Sequence, residues 1–323
     1  MTEITRRAVL AGLSACAAMP AFAKGTWPER PIVLVHGFPP GGPVDVLSRI
    51  LAEPLGRQLG QAVIVEPKPG AAGTTAGGFV ARAVPDGYTL MAVPGTFTGT
   101  AAMFRTLPYR PTEDFTFISS TAEYPLVVIT HPDSKIRTLA DVVRLARARG
   151  TPLQFGTAGN GSIMHLTMEL LAQKAGIRLE HIPYKGGMPA ITDLLGKRID
   201  LVIDPPTALV PFVKDGRLRA LAVTGAQRFF SLPDVPTLVE SGFPGLVVNS
   251  YQGLAAPARL PADLVARLNQ AVVAVLADPA VIEKLKNIGN SPRSSSPDDY
   301  KTRLVADISL WNSVIDGAHL TRI

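Results

Sequence analysis

Cysteine is nearly missing from this chain: Cys16 is the only one in 323 residues. A disulfide within the chain is excluded on that count, and so is a cysteine-bound metal if Cys16 is removed with a targeting segment. Histidine is also sparse; the five stand singly along the sequence and form no metal-ligand spacing. No serine sits in a Gly-x-Ser-x-Gly elbow, so the nucleophile of an α/β-hydrolase is missing. Aromatic residues make up only 6%, and the Lys and Arg behind the net charge of +6 are scattered. Nucleic-acid binding therefore lacks its basic, aromatic-laced footprint. Beyond residue 24 no apolar run approaches the roughly 20 residues needed to span a bilayer.

What is present is a chain long enough for two domains, 46% hydrophobic and 18% charged, which can bury large cores. Its 29 glycines and 29 prolines imply many tight turns. Residues 1–23 read as a targeting segment. Thr5-Arg6-Arg7-Ala8-Val9-Leu10 resembles a twin-arginine export signal, with an ordinary Sec signal as the alternative. Ala21-Phe22-Ala23 is a small-x-small cleavage pattern, so the mature chain is expected to start at Lys24 in the periplasm. Leu13-Ser14-Ala15-Cys16 fits a lipoprotein box, a competing reading that anchors the protein through Cys16. If Cys16 leaves with the signal, the mature protein has no thiol.

Strand and helix patterns alternate along most of the rest, which points to α/β architecture. A first series runs through strands at Ile32–Val35, Ala62–Glu66 and Tyr88–Val93, with helices at Val44–Leu59 and Gly73–Ala83. β-rich runs follow at Phe115–Thr121 and Leu126–Thr130, a second α/β series occupies Leu139 to Val223, and three helices close the chain. Those helices lack the strands to form a domain alone and are expected to pack back on the first half. The reading is two α/β lobes joined by two crossover segments, with a cleft between them. One lobe is 24–124 plus 252–323 and the other is 125–251, with crossovers near Glu123-Tyr124-Pro125 and Asn249-Ser250-Tyr251.

Two loops stand out. His36-Gly37-Phe38-Pro39-Pro40-Gly41-Gly42-Pro43-Val44-Asp45 joins a buried strand to a helix, and Gly156-Thr157-Ala158-Gly159-Asn160-Gly161-Ser162 does the same in the second series. Each puts free backbone N–H groups at a helix N-terminus, where the dipole favours an anion. Neither carries a nucleophile. The second loop mimics a phosphate-binding loop without its lysine, which argues against a nucleoside triphosphate. Candidate contacts are Phe38, Pro39, Gly41, Gly42 and Asp45 in the first loop, and Thr157, Ser162 and His165 in the second. Asp204, at the end of a strand, lies where ligands gather in open α/β sheets. Ser162 as a helix cap, His165 as a packed histidine and Asp45 as a dipole partner are the structural alternatives.

Several blocks then converge on a known family. They include Trp27-Pro28-Glu29-Arg30-Pro31-Ile32, Phe38-Pro39-Pro40-Gly41-Gly42-Pro43 with Asp45, and Pro85-Asp86-Gly87-Tyr88-Thr89-Leu90. Gly159-Asn160-Gly161-Ser162 with His165-Leu166, Pro183-Tyr184-Lys185-Gly186 and Leu232-Pro233-Asp234-Val235-Pro236-Thr237 follow. In order and spacing the chain resembles the Bug family, the extracytoplasmic solute receptors of tripartite tricarboxylate transporters. The resemblance implies a two-lobed periplasmic-binding-protein fold of type II-like architecture that closes on a small carboxylate. It implies a monomer without catalytic residues, metal or cofactor, partnered by a membrane permease of one large and one small subunit. It carries ligand contacts onto the loop residues above and places Tyr184 and Asp204 nearby. Delivery to a sensor is the alternative outcome of the same binding. The α/β-hydrolase look of Val33-Leu34-Val35-His36-Gly37-Phe38-Pro39 is the competing enzyme reading, and it lacks its elbow. Departures from the family pattern, among them Ile163-Met164 after Ser162 and Pro205-Pro206 after Asp204, suggest a less polar pocket.

Overall fold

The computed structural model describes residues 27–323; the targeting segment, its cleavage point and Cys16 lie outside them. The chain runs β1 (Ile32–His36), α1 (Pro43–Leu59), β2 (Val63–Pro67), a 3₁₀ turn (Ala71–Gly73), α2 (Thr74–Ala81), β3 (Thr89–Pro94), α3 (Thr96–Met103) and β4 (Phe115–Pro125). It continues with β5 (Val127–Thr130), α4 (Leu139–Ala148), β6 (Leu153–Thr157), α5 (Ile163–Ala175), β7 (Leu179–Pro183), α6 (Gly187–Leu195), β8 (Leu201–Asp204), α7 (Pro206–Lys214) and β9 (Arg219–Val223). The last part is β10 (Asn249–Pro257), α8 (Ala262–Ala277), α9 (Pro279–Asn287), β11 (Ser291–Pro292) and α10 (Pro297–Gly317). Among the described residues no single helix is long and apolar enough to cross a membrane.

The strands form two mixed sheets, ordered β11-β4-β10-β3-β1-β2 and β7-β6-β8-β5-β9. In the first, β1 lies parallel between β2 and β3. In the second, β6 lies parallel between β7 and β8. The loops that leave β1 and β6 therefore emerge at carboxyl ends of parallel strands, where open α/β sheets hold their ligands. Strands β4 and β10 pair antiparallel, with Pro125 opposite Asn249. The next strand after Pro125 already belongs to the second sheet, so the two passages between sheets run side by side.

Local sequence explains most elements. In α1 the stripe Val44, Leu47, Leu51, Leu55 and Leu59 is buried, Pro43 occupies the first turn, and Gly60 closes the helix at φ 80°. The Ser162 hydroxyl caps α5 by accepting from the His165 N–H at 3.2 Å. Asp278 and Ser296 cap α9 and α10 in the same way.

Two features differ from the sequence reading. Helix α3 is spelled Thr-Phe-Thr-Gly-Thr-Ala-Ala-Met, a stretch whose β-branched and glycine content argues against a helix. Burial overrides propensity: seven of its eight residues are buried, all but Ala101. It lies so close to the second body that a Cβ on Gly99 would sit 2.2 Å from the Gly161 carbonyl. The C-terminal helices also divide their packing. Leu268, Val272, Val281 and Leu285 of α8 and α9 join the core of α1 and the first sheet. Helix α10 begins on that body through Tyr300 and Leu304 but ends on the other. Trp311, Val314 and Ile315 share a cluster with Leu126, Phe155, Ile163 and Leu166. At 21 residues it is about 30 Å long, enough to reach from one core to the next.

Candidate functional site

The first loop is organised from beneath by Asp45. Its carboxylate accepts from the Gly41 N–H at 2.9 Å and from Arg49 Nε at 2.9 Å. It also meets His36 Nε2 at 3.0 Å. The other ring nitrogen, Nδ1, accepts from the Phe38 N–H at 3.4 Å. An N–H pointing at Nδ1 requires the tautomer with its proton on Nε2, so a neutral His36 donates to Asp45. Burial holds His36 below its ordinary value against the opposing pull of Asp45. Burial would raise Asp45, but the bonds from Arg49, Gly41 and His36 outweigh it and hold Asp45 at about 2. Gly41 takes φ 77°, a left-handed conformation suited to glycine.

The second loop is held from behind by a buried polar cluster. Thr157 Oγ1 lies 2.7 Å from His181 Nε2, and His165 Nδ1 accepts from the Gly161 N–H at 3.2 Å. The rings of His165 and His181 stack with centroids 3.8 Å apart and planes 12° from parallel. Burial, aided by the neighbouring His165, lowers His181 to about 3, so it stays neutral.

Between the loops lies a cavity of about 610 Å³, within the range of small-molecule sites. Phe38, Pro39, Gly41, Gly42 and Val44 line it from the first body, and Ala158, Ile163, Met164 and the turn Lys185–Pro189 from the second. Tyr124 and Ser250, on the paired strands between the sheets, also face it. Asp204 lies on its wall at the end of β8, 2% exposed, with Oδ2 making no hydrogen bond. A Cβ on Gly187 would fall 1.8 Å from that oxygen, so only glycine fits at the start of α6. Burial raises Asp204 to about 7.

Five of the ten sequence-named residues, Phe38, Pro39, Gly41, Gly42 and Asp204, thus face one cavity. The other five do not line it. Asp45, Thr157, Ser162 and His165 are buried with their polar atoms spent on the loops' own backbone and neighbours. The Tyr184 hydroxyl is turned away to Asp193 Oδ2 at 2.8 Å. These residues shape the loops, and the exposed backbone and Ile163 and Met164 make the wall. Tyr124 and Ser250 belong to the two crossover segments legible in the sequence, but nothing there marks them as cavity residues; the antiparallel pairing of β4 with β10 brings them together at the cavity. His36 and Arg49 are visible only as the i−9 and i+4 neighbours of Asp45.

The fold has close counterparts. Residues 47–320 match the tripartite tricarboxylate transporter family receptor. The chain is 32% identical over 292 residues to the protein BugT of Bordetella pertussis, covering 90% of each. It superposes on Rhodopseudomonas palustris Rpa4515, solved with adipate, with TM-score 0.87 and 33% identity, covering 92% of this chain and 100% of that one. MatC of the same organism, solved with bound malate, gives TM-score 0.82 and 30% identity, covering 90% and 100%. The chain therefore belongs to the receptor family of the tripartite tricarboxylate transporters, a family of periplasmic binding proteins and not of enzymes.

Proposed function

We propose that this protein captures a small carboxylate in the periplasm and delivers it to a permease of one large and one small membrane subunit. The observation that carries this reading is the single cavity faced by the turn before α1 and the turn before α5, which come from different sheets. Each helix start offers N–H groups with no partner inside the helix, and the two dipoles add to the attraction for an anion. Charge-assisted hydrogen bonds contribute about 1.5–3 kcal/mol each. Three or four cover much of the roughly 8 kcal/mol behind micromolar affinity, before ordering costs are subtracted.

The relatives solved with adipate and malate support a carboxylate as the ligand class. Family membership supports the permease partner, the periplasmic location and export on the N-terminal signal with cleavage after Ala23. In this reading the lobes 24–124 plus 252–323 and 125–251 close on the acid about the strands β4 and β10. The N–H of Val44 at the start of α1 grips one side, with Phe38, Pro39, Gly41 and Gly42 forming the wall around it, and the N–H groups of Ile163 and Met164 at the start of α5 grip the other. Thr157, Ser162, His165 and Asp45 serve by holding these loops in shape.

The test is thermal unfolding of ligand-stripped protein across a library of small acids. The right acid stabilises the folded state by about 2.7 kcal/mol at a hundredfold excess over its dissociation constant. A library of mono-, di-, tricarboxylic and amino acids that produces no shift overturns the proposal.

A further inference from the structure

The cavity is built to attract an anion at its two loops, yet its wall holds a carboxyl group of its own. Asp204 is 98% removed from solvent, faces the cavity, and has an oxygen without a hydrogen-bond partner. Among the described residues no cation forms an ion pair with it. Tyr124 and Ser250 share its part of the cavity, and Lys185 stands exposed on the turn above. A buried carboxylate without a donor is costly, and the cost vanishes when a ligand brings the donor. The rest of the wall is mostly apolar, through Phe38, Pro39, Ile163, Met164 and Met188.

Building on the carboxylate reading, we infer that the ligand is an acid carrying its own hydrogen-bond donor, an amino or hydroxy acid with an apolar body, and that Asp204 is the residue that selects it. The acid's carboxylate faces the two loops while its ammonium or hydroxyl meets Asp204. A plain dicarboxylate sets a second anion against Asp204 and is disfavoured. Burial of Asp204 keeps it partly protonated at neutrality, so the preference sharpens in mildly alkaline solution. An acceptor left without its donor is the setting in which a site discriminates most strongly between otherwise similar ligands.

The experiment is calorimetric titration of the ligand-stripped mature protein in mildly alkaline buffer. The probes are straight-chain monocarboxylates and, at matched chain length, their amino, hydroxy and dicarboxylate counterparts. The amino or hydroxy member is expected to bind about tenfold or more tightly than both the monocarboxylate and the dicarboxylate. In Asp204→Asn the ammonium loses its advantage over the monocarboxylate and the dicarboxylate gains, while the monocarboxylate still binds. That last arm reports that the variant is folded and the loops are intact. If monocarboxylates bind but the donor-bearing acids show no advantage, or keep it in Asp204→Asn, the inference fails and the capture reading stands. If no acid of any class binds, both fail.

Discussion

Asp45, beneath the first loop, and Asp204, on the cavity wall, are both buried aspartates, and their surroundings drive them in opposite directions. Asp45 accepts from Gly41, Arg49 and His36 and is held at about 2, below its ordinary value of 3.8. Its ionised form adds stability at neutral pH, and that contribution is lost as the pH falls from about 4 to about 2. Asp45→Asn is expected to cost about 1–3 kcal/mol near neutrality. Denaturant midpoints measured down the acid range should converge with those of the wild type. Asp204 runs the other way. Raised to about 7, it penalises the folded state increasingly as pH rises from 3.8 towards 7, and fully above that. Asp204→Asn should therefore stabilise the ligand-free protein above neutrality, on the order of a few kcal/mol, and not in acid. Equal midpoints for variant and wild type in alkaline solution contradict this. At this scale the sequence was partly legible. The position of Asp204 at a strand end is readable from the pattern Ile199 to Asp204, but its burial against Gly187 and its lack of a partner are tertiary and cannot be read. Thr157, Ser162 and His165 belong to the second loop and the helix start after it, but their polar atoms bond the loop's own backbone and neighbours and do not line the cavity. A motif fixes which residues form a turn, whereas the direction of each side chain depends on which backbone N–H it satisfies.

Among the elements, the two strand–loop–helix units were the most legible, because a buried run, a glycine-rich turn and a stripe at helical spacing agree. They also allow a clean test. Gly42 has φ −75°, open to any residue, and a Cβ there approaches only the Pro39 carbonyl, at 3.3 Å. Gly42→Val is expected to fold with near-normal stability and to lose acid binding by about tenfold or more, since the added side chain fills the ligand's approach. Unchanged affinity places the site elsewhere. Helix α3 was illegible because its sequence favours extended structure and only tertiary burial makes it helical. The same holds for the far end of α10, whose Trp311 indole donates to Thr98 Oγ1 at 3.2 Å while its ring packs with the second core. Trp311→Ala is expected to cost about 3–5 kcal/mol in urea denaturation. A loss under about 1 kcal/mol shows that this end of the helix is not part of the shared core.

For the whole molecule, the alternation of strands and helices and the absence of a linker made two α/β bodies readable. What the sequence concealed is how much the bodies touch. Besides α3 and α10, Thr207 Oγ1 donates to the Ile288 carbonyl at 2.8 Å and accepts from Asn290 Nδ2 at 3.0 Å, joining α7 to the turn after α9. These contacts favour a closed arrangement around the cavity. Thr207→Val removes both bonds and is expected to weaken acid binding about three- to tenfold through faster release, as stopped-flow dissociation can show. An unchanged release rate assigns the contact to stability alone. The central claim is that turns on separate bodies grip one acid and draw the bodies together. The near absence of cysteine makes its most direct test simple. Cysteines placed at exposed Arg57 and Arg198 in a chain starting at Lys24, 59% and 71% exposed, carry spin labels on opposite bodies. Adding the acid found in the thermal screen should collapse the distance distribution between them to one shorter, narrower population; a distribution unmoved at saturating acid contradicts the account.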